Sequence, residues 1–473
     1  MKKKIVLTYP NFKWAEWMDR TAWHTHPYNL GLLASTLEEE YNVSIVDADM
    51  ENLSQKDFSD RLKEINPDIF GASISTNEYT TPGLIATDIA KKTIPNVKTI
   101  AGGISTISNP HPIIGHPSVD FAVVGEGEYV LKKLCDFLTS DGSFPEKGVW
   151  YKKDGEIINK GRVDFIQDLD TLPLPAYHLV DFMKYATQIQ RESVDRPRAM
   201  PFARIITSRG CPYNCCFCEV DSISGKHPRL RGLESITNEI EWLIKDYGIK
   251  ALIFDDDNLT VNKKRAKGLF KTMIDQKYNL KWNDPATAVF TLDDEMLDLM
   301  KESGCQYLGI AIESGNQRVV KDIVHKPINL EKTKKTIEKI KDRGIDLAVN
   351  FITGFPGETW DEIRDTYRFA EEIDVDYVRL FIATPLPNTD LYKMAKEGGY
   401  LRNGFEFNKH LWTDGWLETD EFRHQDLKIL RAYEWERINF SNPEKTKKIA
   451  QMLDVSEKRL NEIRKDTLKR ANP

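Results

Sequence analysis

The densest group of potentially reactive side chains is the segment RGCPYNCCFC, residues 209–218, which holds four of the six cysteines in this 473-residue chain. Cys211, Cys215 and Cys218 are spaced C-x3-C-x2-C and follow the apolar run ARIITS. Three thiolates on one short loop can bind three irons of a [4Fe–4S] cluster and leave the fourth iron without a protein ligand. Because such an iron can bind and activate a small molecule, the spacing predicts a catalytic cluster.

Zinc and a disulfide are the alternative interpretations of these cysteines. A structural zinc site needs a fourth ligand, usually from a second C-x2-C pair, and the sequence contains no such pair elsewhere. A disulfide is disfavoured because we expect a cytoplasmic protein, in which thiols stay reduced. Cys216, Cys135 and Cys305 are interpreted as small buried residues.

Composition is typical of a globular protein, with 40% hydrophobic residues and 29% charged residues. The length predicts about three domains. The net charge of −7 and the lack of a basic stripe give no reason to expect nucleic-acid binding. The apolar part of MKKKIVLTYP is too short for a signal peptide, and no stretch is long enough to span a bilayer, which supports the cytoplasmic expectation.

Strand and helix patterns alternate along most of the chain, which indicates an α/β fold with parallel sheets. Residues 1–140 contain the strand-like runs KIVLTYP, VSIVDAD, DIFGASIS, VKTIAGGIS and VDFAVVGEGE. In such sheets, ligands bind beyond the carboxyl ends of the strands, although ordinary turns explain the polar residues there equally well. The first 140 residues therefore predict a doubly wound, Rossmann-like domain.

A hairpin that turns at Asp154-Gly155 and a proline-containing linker, LDTLPLPAY, are predicted next. Residues 201–390 then carry six further strand candidates, which indicate either an open sheet or a partial barrel. They are ARIITS, IKALIFDDDN, LKWNDPATAV, CQYLGIAIES, IDLAVNFITGF and VDYVRLFIATP. Residues 391–473 are helical in pattern. Trp412, Trp416 and Tyr433 there could line a cavity, but packing of a terminal helix is favoured.

The segment SRGCPYNCCFC, with Phe217 at an aromatic position, resembles the cluster loop of radical S-adenosylmethionine (SAM) enzymes. HPYNLGLLAS, GGIS and GEGE are similar to the cobalamin-binding domain of the class B subgroup. IFDDDN, GIAIESGNQR, GFPGET and TPLPNTDLY resemble successive barrel segments in the same order. The resemblance implies a cobalamin-binding domain at 1–140, a hairpin and linker at 141–200, a partial (β/α)6 barrel at 201–390 and a small helical region at 391–473.

The resemblance also implies that SAM chelates the open iron and is cleaved to a 5′-deoxyadenosyl radical. The implied SAM-binding residues are Phe217, Asp255, Asp256, Glu313, Ser314 and Gly354. Carboxylates are suitable acceptors for an amino group. Each position has a simpler interpretation, since aspartates cap helices, strand ends are often solvated, and glycines occur in turns.

The implied cobalamin-binding residues lie at strand ends of the first domain. They are Thr8, Tyr9, Ser73, Ser75, Thr76, Asn77, Glu78, Tyr79, Gly102, Gly103, Gly125, Glu126, Gly127 and Glu128. The D-x-H-x-x-G motif that supplies a histidine to cobalt in mutases is missing, and His24, His26, His111 and His116 lie outside such a frame. We therefore expect base-off cobalamin without a histidine ligand, with residues 77–79 facing the lower side of cobalt.

By resemblance, the chain is expected to be a cobalamin-dependent radical SAM methyltransferase acting on an unactivated carbon. No general acid or base is nominated, because the cofactors carry the central step. The alternative enzyme is a radical SAM oxidative cyclase or rearrangement enzyme, and a third possibility is a non-catalytic cofactor-binding sensor. The expected partners are an electron donor such as flavodoxin or ferredoxin and an unidentified substrate: a small molecule, lipid, tetrapyrrole or peptide.

Overall fold

The structure is a computed structural model that describes residues 2–15, 26–187, 193–409 and 412–472. The chain divides into two compact units, residues 1–191 and 192–473. Within the described ranges, no helix combines the length and the apolar composition that a membrane crossing requires. Each unit is built around a parallel sheet, as the alternating sequence pattern predicts.

Unit 1 contains a seven-stranded sheet with the order β2-β1-β3-β4-β5-β6-β7. The strands are β1 Lys4–Tyr9, β2 Asn42–Asp47, β3 Ile69–Ser73, β4 Lys98–Gly102, β5 Phe121–Val123, β6 Val149–Lys153 and β7 Glu156–Ile158. The first five strands pair in parallel, and all five coincide with the runs identified in the sequence. β6 and β7 form the antiparallel hairpin predicted at Asp154-Gly155, where both residues have positive φ angles of 52° and 83°.

The unit 1 helices cover both faces of this sheet, as a doubly wound fold requires. They are α1 Tyr28–Ser35, α2 Gln55–Ile65, α3 Thr80–Thr93, α4 Ile104–Ser108, α5 Pro110–Ile114, α6 Gly127–Thr139 and α7 Phe182–Thr187. Ile5 and Leu7 of β1 join a core with α1 and α6 residues, whereas Val6 joins a second core with α2 and α3 residues. This alternation along β1 is the pattern of a strand buried on both faces.

Unit 2 contains a six-stranded sheet with the order β15-β14-β13-β12-β11-β8, and its neighbours all pair in parallel. The strands are β8 Phe202–Ile205, β11 Ala251–Phe254, β12 Lys281–Thr287, β13 Cys305–Glu313, β14 Asp346–Thr353 and β15 Tyr377–Ile382. A short antiparallel pair, β9 Ser208–Arg209 and β10 Arg229–Leu230, lies beside it. Sequential strand order without pairing between β8 and β15 is the arrangement of a partial barrel, and its six strands match the six sequence candidates.

Helices follow the strands of unit 2 and continue to the end of the chain. They are α8 Val220–Ile223, α9 Leu233–Tyr247, α10 Lys263–Asp275, α11 Asp294–Glu302, α12 Leu330–Asp342, α13 Trp360–Glu372, α14 Asp390–Glu397, α15 His424–Asn439, α16 Pro443–Leu453 and α17 Glu457–Ala471. One π-helical turn occurs at Val319–Ile323, just after β13. Such turns are frequent at functional sites.

The C-terminal helices complete the barrel in two ways. The buried Asn439 of α15 accepts a hydrogen bond from Val378 N (2.8 Å) and donates one to Val378 O (2.9 Å), so its amide satisfies the open edge of β15. Side chains of α16 and α17 form one apolar cluster with Tyr307 and Ala348, near the amino ends of β13 and β14. The C-terminal region therefore closes the amino end of the barrel lumen.

The aromatic residues singled out in this region differ in their environment. Trp416 packs against Phe405, with ring centroids 5.7 Å apart, and Arg402 lies over its ring. The backbone carbonyl of Trp412 accepts a hydrogen bond from Ile382 at the end of β15. Tyr433 is 50% exposed, so the packing expected of it is not found.

The edge-capping role of Asn439 predicts a loss of stability when its amide is removed. Asn439→Leu would leave the buried Val378 N–H and C=O groups without partners, which costs about 1–3 kcal/mol. We expect the urea midpoint of the apo protein to fall accordingly. The exposed Asn461 of α17 provides the matched control, and Asn461→Leu should change the midpoint little. Equal midpoints for the two variants would contradict the capping role.

Candidate active site

The cysteine loop begins where β8 ends, and two carboxylates that follow β11 hold it in place. Asp256 accepts hydrogen bonds from Thr207 N (3.2 Å), Thr207 Oγ1 (2.7 Å) and Ser208 Oγ. Asp257 Oδ2 accepts from the backbone N–H of Gly210 at 2.7 Å. Gly210 has a φ of +94°, and a Cβ there would lie 2.8 Å from the Gly225 carbonyl oxygen. The backbone segment that leads to Cys211 is thus held in place by contacts within the protein.

The three predicted ligands share one partly buried environment. Burial raises the pKa of Cys211, that of Cys215 to about 11 and that of Cys218 to about 12. The charges of Cys211 and Cys215 add to the rise at Cys218, and the backbone N–H of Cys218 donates to the Cys215 carbonyl at 3.0 Å within this short loop. A side-chain hydrogen bond from Asn258 opposes the rise at Cys211. Because a thiol binds iron as a thiolate, loading this site must displace protons.

Cys216 points into a different environment from its three neighbours. It is 1% exposed and belongs to an apolar cluster with Val324 and Phe355. Its backbone N–H donates to Val324 O at 3.0 Å, and its carbonyl accepts from Leu391 N at 2.8 Å. The expectation that Cys216 is a small core residue is confirmed, as it is for the buried Cys135 and Cys305.

A buried ion pair between Lys326 and Glu313 lies beside the cysteines. Lys326 Nζ donates to Glu313 Oε1 (2.7 Å) and to Ala311 O (2.7 Å), and both side chains are at most 10% exposed. Burial alone would lower the pKa of Lys326, but the charges of Glu313 and Cys215 outweigh it and raise the pKa. Glu313 ends β13 with a φ of +76°. A charged pair is therefore held at the carboxyl edge of the barrel, next to the thiols.

Sequence reasoning identified Glu313 but missed Lys326 and Asn258. Lys326 follows the π-helical turn, and the Val324–Cys216 hydrogen bond brings it to the cysteine loop. No spacing in the sequence relates a lysine 108 positions after Cys218 to that loop. Asn258 could have been found, since it directly follows the three aspartates that come after β11.

The remaining predicted SAM-binding residues are engaged by the chain in different ways. Asp255 forms an ion pair with Arg204, with both carboxylate oxygens 2.8 Å from Nη1. The hydroxyl of Ser314 is 2.9 Å from Thr366 Oγ1 of α13, and a Cβ at Gly354 would lie 2.5 Å from Leu427 of α15. The ring of Phe217 lies 6.2 Å from that of Phe355. Of this set, Phe217 lies within the cysteine loop itself, and the charge of Glu313 acts on Cys215.

The donor set fits a [4Fe–4S] cluster with one open iron. Three thiols share a site in which a lysine supplies positive charge, and the fourth cysteine of the loop points into the core. In the described part of the chain, no three His, Cys, Asp or Glu side chains converge on a single metal-ion position. A cubane does not require such convergence, because each thiolate binds a different iron.

The predicted cobalamin residues line the carboxyl ends of β1, β3, β4 and β5. Among them, Thr76 Oγ1 and Asn77 Oδ1 are buried without a hydrogen-bond partner in the described structure, and so is Thr106 Oγ1 of α4. A Cβ at Gly102 would meet no atom within 4 Å. Buried polar atoms are normally hydrogen-bonded, so unpaired ones at an open strand end fit a large ligand rich in amides, such as cobalamin. Thr106 was missed by the sequence reasoning, although it follows GGIS directly.

Other predicted cobalamin-binding residues already have hydrogen-bond or packing partners within unit 1. Thr8 Oγ1 donates to the Val46 carbonyl, and Glu126 Oε2 accepts from Ile166 N at 2.6 Å. Tyr79 packs in an apolar core, with its ring 4.8 Å from that of Phe12. Unpaired polar atoms of this set thus lie in the segments after β3 and β4, and a further one, the Tyr9 hydroxyl, lies at the end of β1.

His26, His111 and His116 contact other residues of unit 1. His116 Nδ1 lies 2.9 Å from Ser118 Oγ, and Ser118 accepts from Thr99 near the amino end of β4. His26 is enclosed by the rings of Tyr177, Phe182 and Tyr185, with centroids 5.4, 5.3 and 6.1 Å away. His111 packs on Trp150. His24 lies outside the described residues.

Comparison with known proteins gives two family matches. The radical SAM superfamily matches residues 205–370, and the B12-binding domain matches residues 20–135. An uncharacterized methyltransferase of Pyrococcus horikoshii is 32% identical over 408 residues, which cover 86% of each chain. Cytidylyl-2-hydroxyethylphosphonate methyltransferase of Streptomyces wedmorensis is 29% identical over 425 residues, covering 80% of this chain and 79% of the relative.

The same architecture occurs in a solved structure. The radical SAM methyltransferase TsrM of Kitasatospora setae, determined with cobalamin and a [4Fe–4S] cluster bound, superposes with a TM-score of 0.67. The match covers 85% of this chain and 77% of TsrM at 18% identity, so it supports the fold. The two domain matches and the Pyrococcus relative show that this chain belongs to the radical SAM enzymes that carry a cobalamin-binding domain.

Proposed function

We propose that this protein is a cobalamin-dependent radical SAM methyltransferase that places a methyl group on an unactivated carbon. The observation that carries the proposal is the loop of three grouped thiols, with its fourth cysteine turned into the core, in a chain that also contains a B12-binding domain. When bound, the cluster supplies the electron that cleaves SAM to a 5′-deoxyadenosyl radical, and cobalamin supplies the methyl group.

The cluster is assigned to Cys211, Cys215 and Cys218. Asp256 and Asp257 position their loop, since these carboxylates accept from Thr207, Ser208 and Gly210. This network gives Asp256 a positioning role in addition to, or in place of, the direct SAM contact expected from the sequence. The loop is thereby preorganised before the cluster is loaded.

Glu313 is assigned to the amino group of SAM, and Lys326 is assigned to its carboxylate. A carboxylate at Glu313 can accept from the SAM amino group, and the ammonium of Lys326 can pair with the SAM carboxylate. Phe217, beside Phe355, is assigned to the adenine side. We assign Ser314 and Gly354 to SAM through backbone atoms, because the Ser314 hydroxyl bonds Thr366 and Gly354 faces α15.

Cobalamin is assigned to the carboxyl edge of the unit 1 sheet. The contacts best supported are the unpaired Thr76, Asn77 and Thr106 oxygens and the open side of Gly102. The other strand-end residues named from the resemblance complete the surroundings. His26, His111 and His116 contact other residues of unit 1, which supports base-off binding.

An electron donor such as flavodoxin or ferredoxin is the expected protein partner. Free thiols in the cluster loop require a reducing compartment, such as the cytoplasm. Oxidative cyclisation is the alternative outcome with the same cofactors, but both curated relatives described above carry methyltransferase names. The test is product analysis after anaerobic incubation with SAM, reductant and candidate substrates. A methyltransferase forms S-adenosylhomocysteine in proportion to product, whereas a cyclase forms only 5′-deoxyadenosine.

Cysteine variants test the cluster assignment. Replacing Cys211, Cys215 or Cys218 with Ala should abolish cluster binding and SAM cleavage, because each removes one of three iron ligands. Cys216→Ala is the control and should retain the cluster. The measurements are iron content and visible absorbance after anaerobic reconstitution. The assignment is wrong if the absorbance survives loss of Cys215 and disappears with loss of Cys216.

Paramagnetic resonance of the cob(II)alamin form tests the cobalamin geometry. We expect a spectrum without nitrogen superhyperfine splitting, since no histidine is placed below cobalt. A splitting that disappears on substitution of His24, His26, His111 or His116 would rule out base-off binding without histidine.

Substitution of Glu313 tests the SAM assignment. A buried charge-assisted hydrogen bond contributes on the order of 1.5–3 kcal/mol, so Glu313→Gln should weaken SAM binding roughly tenfold to a hundredfold. The exposed Lys264 of α10 supplies the control, and Lys264→Ala should bind SAM normally. Anaerobic SAM titration of cluster-loaded protein makes the measurement. Unchanged affinity in Glu313→Gln, with the cluster intact, would leave the assignment unsupported.

A further inference from the structure

The barrel lumen carries a set of charged and polar side chains that no step described so far uses. Phe254 and Trp282 face the outer helices, because Trp282 stacks on Phe270 of α10 at 4.9 Å and contacts Phe254 at 5.3 Å. Side chains alternate along strands, so their neighbours Ile253 and Asn283 face the lumen. Arg204 is in register with Ile253 and therefore shares this inner face.

The same register places further polar residues on the inner face. Asn283 is aligned with Tyr307, and Tyr307 bonds to Asp195 at 2.9 Å. Arg379 contacts Asp195 and Tyr307, and it is aligned with Asn350 on the adjacent strand. Below them, the apolar cluster with α16 and α17 closes the amino end. The lumen is thus lined by polar side chains and is closed at its amino end.

Three of these polar groups have unused hydrogen-bonding capacity. Arg204 donates to both oxygens of Asp255 through Nη1 alone, and its Nε and Nη2 bond to no described residue. The Oδ1 atoms of Asn283 and Asn350 are buried and have no partner in the described structure. Arg379, in contrast, is fixed by Asp195 and Tyr307. Arg204, Asn283 and Asn350 are therefore the groups left for a ligand.

Arg204 lies on the inner face of the barrel, and its side chain is still partly accessible to solvent. Its side chain is 34% accessible and that of Asp255 is 36% accessible, yet burial acts strongly on the guanidinium. Burial would lower the pKa of Arg204, but the carboxylates of Asp255 and Asp195 outweigh it and raise the pKa. The residue thus lines an internal space and stays charged. A guanidinium edge formed by Nε and Nη2 matches the two oxygens of an oxyacid anion.

We propose that the lumen binds the substrate of the reaction through an oxyacid anion, a carboxylate or a phosphoryl group, seated on the Nε–Nη2 edge of Arg204. A hydroxyl or N–H group of the same substrate donates to the unpaired Oδ1 atom of Asn283 or of Asn350. This inference rests on the proposed function and narrows its substrate to a polar, anionic compound. A lipid chain does not fit as the part inserted into this lumen, because it would leave these polar groups buried and unpaired.

The test is anaerobic calorimetric titration of the full chain, loaded with cluster and cobalamin, without SAM. The probes are methylphosphonate and acetate, which represent the two anion classes, and propanol serves as the neutral probe. We expect saturable binding of at least one anion, and the tighter anion identifies the class. Arg204→Gln should weaken that binding at least tenfold, and Arg204→Lys should restore only part of it, since an ammonium lacks the planar fork.

Two further variants make the test independent of folding defects in Arg204→Gln. Asp255→Asn removes the competing carboxylate and should tighten anion binding several-fold. Arg437→Gln, on the outer surface where Arg437 pairs with Glu371 and Glu434, should leave it unchanged. Absence of saturable binding, binding unchanged in Arg204→Gln, or binding not tightened in Asp255→Asn overturns the inference.

SAM cleavage by the same unsubstituted preparation separates this inference from the proposed function. A protein that cleaves SAM but binds neither anion contradicts the lumen site alone. A protein that binds an anion through Arg204 but does not cleave SAM under reducing conditions contradicts the proposed function alone.

Discussion

The hydrogen bonds between Asp256 and the loop that follows β8 are the interaction on which the site depends. A buried carboxylate is costly unless it is hydrogen-bonded, and Asp256 is 4% exposed. Burial raises its pKa, and the bonds from Ser208 and Thr207 act in the opposite direction by favouring the carboxylate. These hydrogen bonds join the end of β11 to the start of the cysteine loop, so the position of the loop is fixed relative to the sheet. Asp257 and Gly210 extend the same connection to within one residue of Cys211.

The rest of the barrel is arranged around the space that this loop borders. The C-terminal region satisfies the free edge of β15 through Asn439 and fills the amino end of the lumen with apolar side chains. Access to the lumen is thereby left to the carboxyl edge, where the thiols, Glu313 and Lys326 lie. A substrate held on the inner face by Arg204 would enter from the side on which the radical is generated.

Much of this could be read from the sequence, because the deciding signals are local. The β-branched runs predicted all five parallel strands of unit 1 and all six of the barrel, and Asp154-Gly155 predicted the hairpin. The cysteine spacing predicted three cluster ligands, which remain a prediction, and one core residue, which is confirmed. What could not be read depends on contacts between distant segments. Lys326 reaches the thiols through a backbone hydrogen bond between Val324 and Cys216, and Asp256 turned out to bind the loop because of the register between β11 and β8. Tyr433 could not be placed, because its aromatic type does not reveal which face of α15 is covered.

The central claim is that three cysteines leave one iron open to SAM. Electron–nuclear double resonance of the reduced cluster, with SAM labelled by 15N at the amino group or 17O at the carboxylate, measures this directly. The account predicts hyperfine coupling from both labels, which shows that both groups bind the open iron. A reduced cluster that binds SAM yet couples to neither label would contradict it.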